Sequence, residues 1–115
     1  MPSFDKLREP AVRQLFSALH TVAMQYGLKP RITSTYRSPA DQARLYRAYL
    51  EGRSVYPAAA PGRSTHERGR AMDMVAEDLG WLGEVWEHWG GRWGGRFRDP
   101  IHFEVTDAML SRWYR

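Results

Sequence analysis

A chain of 115 residues is long enough for one compact domain but leaves little room for a second, so residues 1–115 are read as a single domain. Hydrophobic residues make up 43% of the chain and aromatic residues 13%, which excludes an intrinsically disordered protein. The chain has no cysteine, so any tightly held transition metal must use histidine and carboxylate ligands. The formal net charge of +4 favours a polyanionic partner, such as nucleic acid or anionic cell wall, although a solvated basic surface explains it equally well.

The first half of the chain predicts a helix, a strand and a second helix. From Pro10 to Tyr26, apolar residues recur at the three- and four-residue spacing of an amphipathic helix. Residues Arg31 to Tyr36 are rich in β-branched side chains and predict a short strand. Ser38 is a typical N-cap, and it predicts a second helix from about Pro39 to Glu51. The apolar residues of this helix share one face: Leu45, Tyr46 and Tyr49.

The second half begins with a segment from Gly52 to Thr65 that has two prolines, two glycines and no periodicity, which predicts a long surface loop. Beyond it we expect a strand over Arg70 to Val75, a helix over Leu79 to Trp89, a strand over Ile101 to Val105, and a short helix capped by Thr106. Strands interspersed with helices predict an α+β domain with a small, largely antiparallel sheet packed by helices.

Three polar residues in the second half form a candidate metal site. His66 and Asp73 lie seven positions apart, so in a plain strand they face opposite ways, and they converge only if the chain turns at Gly69. His102 lies in an alternating strand and shares a face with Glu104. Two histidines and one aspartate form a three-ligand set, which in catalytic zinc sites leaves a fourth position for water. A lone histidine near a strand is more often a packed or surface residue.

A metal-dependent hydrolase also needs a general base to accept the proton of the attacking water. Asp99 lies three residues before His102 and is the first candidate for this base. Glu67 adjoins His66, and Glu104 shares the strand face of His102, so both are rivals for a catalytic role and the residues alone leave the choice open.

The segment from Ser64 to Asp73 matches the pattern S-x-H-x-x-G-x-A-x-D and thereby resembles the VanY-like zinc peptidases, a family of D-alanyl-D-alanine carboxypeptidases and L-alanyl-D-glutamate endopeptidases. This resemblance implies a Hedgehog/DD-peptidase-like fold with a zinc site in a cleft on the sheet. It also implies that His66, Asp73 and His102 hold Zn2+ and that Asp99 is the catalytic base.

Two further segments extend the resemblance. The tract from Trp89 to Phe103 looks like the W-G-G-x-W... F-x-D-x-x-H-F ending of the endopeptidase branch found in phage endolysins, whose members often carry an acid where Arg92 stands. The "YRS" segment resembles one whose arginine lies in the substrate cleft, which implies that Arg37 binds substrate and stabilises the developing oxyanion. Without that motif, Arg37 is read as a surface salt bridge.

Two other residues are candidate substrate contacts. Ser64 opens the metal-binding motif, so it is expected either to contact substrate or to support the loop. Trp93 lies between glycine pairs and is the tryptophan best suited to line a cleft, whereas core filling is the expected role of the others.

The predicted function is zinc-dependent hydrolysis of a peptide bond in the peptidoglycan stem peptide, by an L-alanyl-D-glutamate endopeptidase that resembles phage endolysins. The alternatives are a D-alanyl-D-alanine carboxypeptidase and a catalytically silent wall-binding module. Nucleic-acid binding has no motif beyond charge, so neither it nor membrane binding is predicted, and a monomer without a separate wall-binding domain is expected.

The chain shows no signal-peptide pattern and no apolar run of about 18 residues. We therefore expect an enzyme that is cytoplasmic when made and acts on the wall after release, as in phage or prophage lysis through a separate membrane pore.

Overall fold

The computed structural model describes residues 4–114, which form one antiparallel sheet with helices packed against it. The helices and strands follow in chain order: α1 Pro10–Gln25, β1 Arg31–Ser34, α2 Pro39–Leu50, β2 Ala71–Val75, α3 Leu79–His88, β3 Arg92–Trp93, β4 His102–Glu104 and α4 Asp107–Tyr114. Short 3-10 turns occupy Phe4–Lys6 and Gly94–Phe97. The strand order is β1-β2-β4-β3, so the predicted α+β fold with an antiparallel sheet is confirmed.

The core lies where α1 and α3 pack against the sheet. The predicted apolar face of α1 is the buried one, and Phe16 on that face stacks on Trp86 of α3 with ring centroids 5.4 Å apart. Trp86 also meets Phe103 of β4 edge to face, and its indole N–H donates to the carbonyl oxygen of Glu104 at 2.9 Å. The core therefore fixes the strand that carries His102.

Helix α2 begins as predicted, because the Ser38 hydroxyl accepts a hydrogen bond from the backbone N–H of Asp41. Its apolar face is not buried, however: Leu45 is 41% exposed and Tyr49 is 39% exposed. The buried residue of this helix is Gln42, whose side chain donates to the Ala59 carbonyl oxygen at 2.7 Å. A polar anchor to the long loop thus takes the place of an apolar contact with the core.

Residues 51–70 contain no helix or strand, as the prolines and glycines predict. The Glu67 carboxylate closes this loop by accepting hydrogen bonds from the backbone N–H groups of Gly62 and Ser64. Arg70, at the end of the loop, pairs with Glu9 at 2.6 Å and with Asp107 at 3.2 Å. These ion pairs connect the residue before β2 to the N-terminal ends of α1 and α4. None of the helices within residues 4–114 is long and apolar enough to span a bilayer.

Two glycines of α3 provide a matched test of this packing. A Cβ atom added at Gly83 would lie 2.1 Å from the Trp93 ring, whereas one added at Gly80 would meet nothing within 4 Å. We expect Gly83→Ala to lower the free energy of unfolding by about 1–3 kcal/mol through overpacking. Gly80→Ala, by contrast, should raise it by about 0.5–1 kcal/mol, because alanine is the better helix former. Urea unfolding measures both, and equal effects would contradict the packing described.

Candidate metal centre

The sheet brings the three predicted metal ligands together from separate parts of the chain. Asp73 lies in the middle of β2 and is paired directly with His102, the first residue of β4. His66 precedes β2 in a tight turn that closes through the backbone N–H of Gly69 on the His66 carbonyl oxygen. Gly69 has a φ of 68°, a backbone conformation that favours glycine, so the bend expected at this residue is present.

The donor atoms of the three side chains converge on one point. His66 Nε2 lies 3.2 Å from Asp73 Oδ1, and His102 Nδ1 lies 3.3 Å from the same oxygen. The three donor atoms lie within 4.8 Å of one another, and both imidazoles are buried. Two nitrogens and one carboxylate oxygen in this arrangement fit a zinc ion that keeps a further coordination position open.

The hydrogen bonds of the two imidazoles indicate which nitrogen of each ring is available to a metal ion. His66 Nδ1 lies 2.7 Å from the carbonyl oxygen of Thr35, which only accepts, so Nδ1 carries the proton and Nε2 is left as the ligand. His102 Nε2 lies 2.9 Å from Glu104 Oε1, so Nδ1 is the nitrogen that His102 offers as the predicted ligand atom. The two histidines therefore present different nitrogens.

Glu104 thus contacts Nε2 of His102, the ring nitrogen that points away from the predicted metal position, and does not lie at the open side of the site. Its Oε1 also accepts a hydrogen bond from the Thr65 hydroxyl at 3.1 Å, and its Oε2 lies 3.4 Å from the Arg92 guanidinium. Arg92 stacks over Phe97, whose ring meets the His102 imidazole edge to face. Arg92 therefore places a positive charge beside the Glu104 carboxylate, where an acidic side chain would repel it.

The charges of the cluster favour a cation between the three side chains. Burial alone would raise the pKa of Asp73, but hydrogen bonds from His102 and His66 outweigh burial and hold that pKa far below its ordinary value. For His102, burial favours the neutral ring, yet Asp73 and Glu104 together raise its pKa to about 9. In the metal-free protein a proton on His102 thus offsets the negative charge of Asp73 and Glu104. A bound metal ion would offset that charge in its place.

Asp99, the predicted base, lies at the mouth of this cluster. Its Oδ2 is 3.9 Å from His102 Nδ1, and burial followed by the nearby charge of Asp73 raises the pKa of its carboxyl. Gly94 permits this placement, because a Cβ atom there would lie 2.2 Å from the Asp99 carbonyl oxygen and 2.8 Å from His102 Cβ. The Asp99 backbone N–H donates to Gly94 at 2.8 Å, which fixes the turn before β4.

Arg37 belongs to the same cluster and is not a surface salt bridge. Its guanidinium lies 3.5 Å from Asp73 Oδ2, and the side chain is 16% exposed. The same group donates to Gln42 Oε1 at 2.8 Å and to the Ser34 hydroxyl at 3.0 Å. Burial lowers the pKa of Arg37, although an arginine stays charged at neutral pH.

The structure does not bring the other two candidate substrate residues into direct contact with the three predicted ligand side chains. Ser64 is buried, and its hydroxyl accepts a hydrogen bond from the backbone N–H of His66, so it supports the turn. The Trp93 indole packs against Gly83 and Gly95 and donates to the Pro100 carbonyl oxygen at 2.8 Å. Substrate contacts by these two residues stay predictions.

A buried His-Asp-His cluster with an acid at its mouth is the arrangement of a mononuclear metallopeptidase. The family model of VanY, D-alanyl-D-alanine carboxypeptidase, matches residues 5–92, and the chain belongs to this family. No curated protein sequence matches the chain significantly. The family match ends before Asp99 and His102, so their place in the site comes from the structure.

Solved structures show the same fold. The D,D-pentapeptidase VanY of a VanB-type resistance cassette, in complex with Zn(II), is 18% identical with a TM-score of 0.68, over 93% of this chain and 78% of that one. The LD-carboxypeptidase LdcB is 20% identical with a TM-score of 0.70, over 95% and 70%. The L-Ala D-Glu endopeptidase ChiX of Serratia marcescens is 22% identical with a TM-score of 0.58, over 98% and 90%. The predicted VanY-like zinc peptidase is thereby confirmed.

One zinc ion per chain is expected to bind and to stabilise the fold. At a free zinc concentration of about 100 times the Kd, ligand binding raises the free energy of unfolding by about 2.7 kcal/mol. His66→Ala should abolish this gain in thermal unfolding, whereas His88→Ala, which removes an exposed imidazole on α3, should preserve it. If zinc stabilised both variants equally, the assignment of His66 as a zinc ligand would be contradicted.

Glu104→Gln tests the hydrogen bond behind His102. The amide oxygen keeps the hydrogen bond from Thr65 but loses the negative charge, so zinc affinity should fall by about 10- to 100-fold. Competition with a chromogenic chelator measures this loss. Glu87→Gln removes the charge of a glutamate on α3 that pairs with Arg96 in the turn Gly94–Phe97; it is the control and should leave the Kd unchanged. An unchanged zinc Kd in Glu104→Gln would show that the contact between Glu104 and His102 does not affect zinc affinity.

Proposed function

We propose that the chain is an L-alanyl-D-glutamate endopeptidase that cleaves the peptidoglycan stem peptide. The observation that carries the proposal is the placement of Asp99 at the mouth of a cluster whose donor atoms suit zinc. The F-x-D-x-x-H-F ending that contains Asp99 resembles the endopeptidase branch. The match to ChiX also leaves little of either chain unpaired, since it covers 98% of this chain and 90% of that one.

In this proposal His66 Nε2, Asp73 and His102 Nδ1 hold the metal. Bound zinc supplies Lewis acidity, which polarises the scissile carbonyl and makes a water molecule acidic enough to lose a proton near neutral pH. Asp99 accepts that proton and donates it to the departing amine.

Arg37 provides positive charge beside the metal ligands. Its guanidinium is held by Ser34, Gln42 and Asp73, so little reorganisation is needed when negative charge develops on the substrate oxygen. Gln42 in turn is fixed by the Ala59 carbonyl oxygen. The long loop and α2 thereby position a charged group for catalysis.

The second candidate function is D-alanyl-D-alanine carboxypeptidase activity. Two observations favour it: the family model carries that description, and the two carboxypeptidases superpose with higher TM-scores than ChiX does. Arg37 suits both reactions, since a guanidinium binds a terminal carboxylate as readily as it stabilises an oxyanion. A silent wall-binding module is the third reading, and the presence of Asp99 speaks against it.

We also propose that the chain acts as a monomer on peptidoglycan, in phage or prophage lysis after release from the cytoplasm. The endolysin-like ending and the basic surface support this role. The net charge of +4 attracts anionic wall polymers over a range that salt shortens.

The products of peptidoglycan digestion distinguish the two enzymes. New amino termini at D-glutamate, detected by mass spectrometry of purified fragments, are expected from the zinc-loaded chain. Removal of zinc should abolish them. Asp99→Ala should reduce kcat by about 10²- to 10⁴-fold while leaving zinc binding intact.

Glu84→Gln, at an exposed position of α3, is the control and should retain full activity. Release of terminal D-alanine would instead assign the carboxypeptidase reaction. The absence of any zinc-dependent product from any wall type would refute both reactions.

A further inference from the structure

A groove of about 520 Å³ runs beside the candidate metal centre. It lies between β1, the 3-10 turn Phe4–Lys6 and the first turns of α2. Its lining includes Arg37, whose guanidinium lies 3.5 Å from Asp73 Oδ2, and Thr35, whose carbonyl oxygen lies 2.7 Å from His66 Nδ1. Arg37 and Thr35 therefore connect the lining of the groove to the candidate metal centre.

The walls of the groove carry a surplus of positive charge. Three cations line it, Lys6, Arg37 and Arg44, against the single carboxylate of Asp41, which pairs with Arg44. Lys6 forms no ion pair within the part of the chain that the structure describes. A groove with this charge attracts an anionic group, and an exposed lysine with a nearby arginine suits a carboxylate.

The groove also suits an extended peptide with small apolar side chains. Tyr36 and Leu45 line it and are 40% and 41% exposed, so they offer apolar surface that the fold leaves uncovered. β1 is an outer strand of the sheet and pairs only with β2 among the described residues. An outer strand offers a row of backbone N–H and C=O groups to an extended chain.

We propose that this groove binds the free carboxylate of the acidic residue in the stem peptide and makes the enzyme selective for the unamidated form. The inference rests on the proposed function and names the substrate chemistry that its site selects. Only one of the two carboxyl groups of the stem glutamate enters a peptide bond, so the other stays charged until it is amidated. Lys6 and Arg44 recognise that charge, and amidation removes it.

Binding of two synthetic peptides tests the proposal independently of hydrolysis. The peptides are L-Ala-D-Glu-L-Lys and its D-isoglutamine counterpart. They differ only in one group of the second residue, which is a free carboxylate in the first peptide and an amide in the second. In a zinc-loaded Asp99→Asn background, the carboxylate form should bind about three- to fivefold more tightly at low salt, as expected for exposed ion pairs. Lys6→Gln/Arg44→Gln should remove the preference.

Lys29→Gln/Arg53→Gln is the matched control. It removes the same charge from two exposed residues that pair with Glu77 and Glu51, and it should keep the preference. Equal affinity for the two peptides, no measurable binding of either, or a preference that survives in Lys6→Gln/Arg44→Gln would overturn the inference.

Digestion of both peptides by the unaltered chain separates this inference from the proposed function. Hydrolysis at equal kcat/KM for the two peptides would overturn the selectivity but leave the endopeptidase intact. A carboxylate preference in binding without any hydrolysis would support the groove and refute the endopeptidase.

Discussion

The Asp73 carboxylate is the interaction on which the rest of the site depends. Its Oδ1 lies within 3.3 Å of both imidazoles, and its Oδ2 faces the Arg37 guanidinium at 3.5 Å. Asp73 can serve all three groups because β2 is an inner strand, flanked by β1 and β4. Burial of this carboxylate costs free energy, which its hydrogen bonds and charged neighbours offset. The sheet and core thus hold a negative charge in a place where a metal ion neutralises it.

Around that carboxylate, each functional side chain is held by a second polar contact. The Thr35 carbonyl orients His66, Glu104 orients His102, and Gln42 orients Arg37. These contacts come from the residue that follows β1, from β4 and from α2, so the site joins the sheet to a helix that buries little apolar surface. Orientation fixed in advance reduces the reorganisation needed during catalysis. The same helix forms one wall of the cationic groove, so catalysis and substrate selection share a support.

The sequence allowed prediction of most of the fold and of the residues that the site brings together. Helix periodicity and caps located α1, α2 and α3 within one or two residues, and Gly69 indicated the turn that lets His66 meet Asp73. The position of Glu104 behind His102 was open, because alternation places both on one face without revealing which ring nitrogen is bonded. The outward apolar face of α2 was unforeseen, since periodicity shows that a helix has such a face and not what covers it.

Anomalous diffraction at the zinc edge, from crystals of the zinc-loaded chain, tests the central claim most directly. The account predicts a single strong peak about 2.0–2.2 Å from His66 Nε2, His102 Nδ1 and an Asp73 carboxylate oxygen, with the other ring nitrogens still bonded to Thr35 and Glu104. A zinc ion bound through His102 Nε2, or held at His20 or His88 instead, would contradict it.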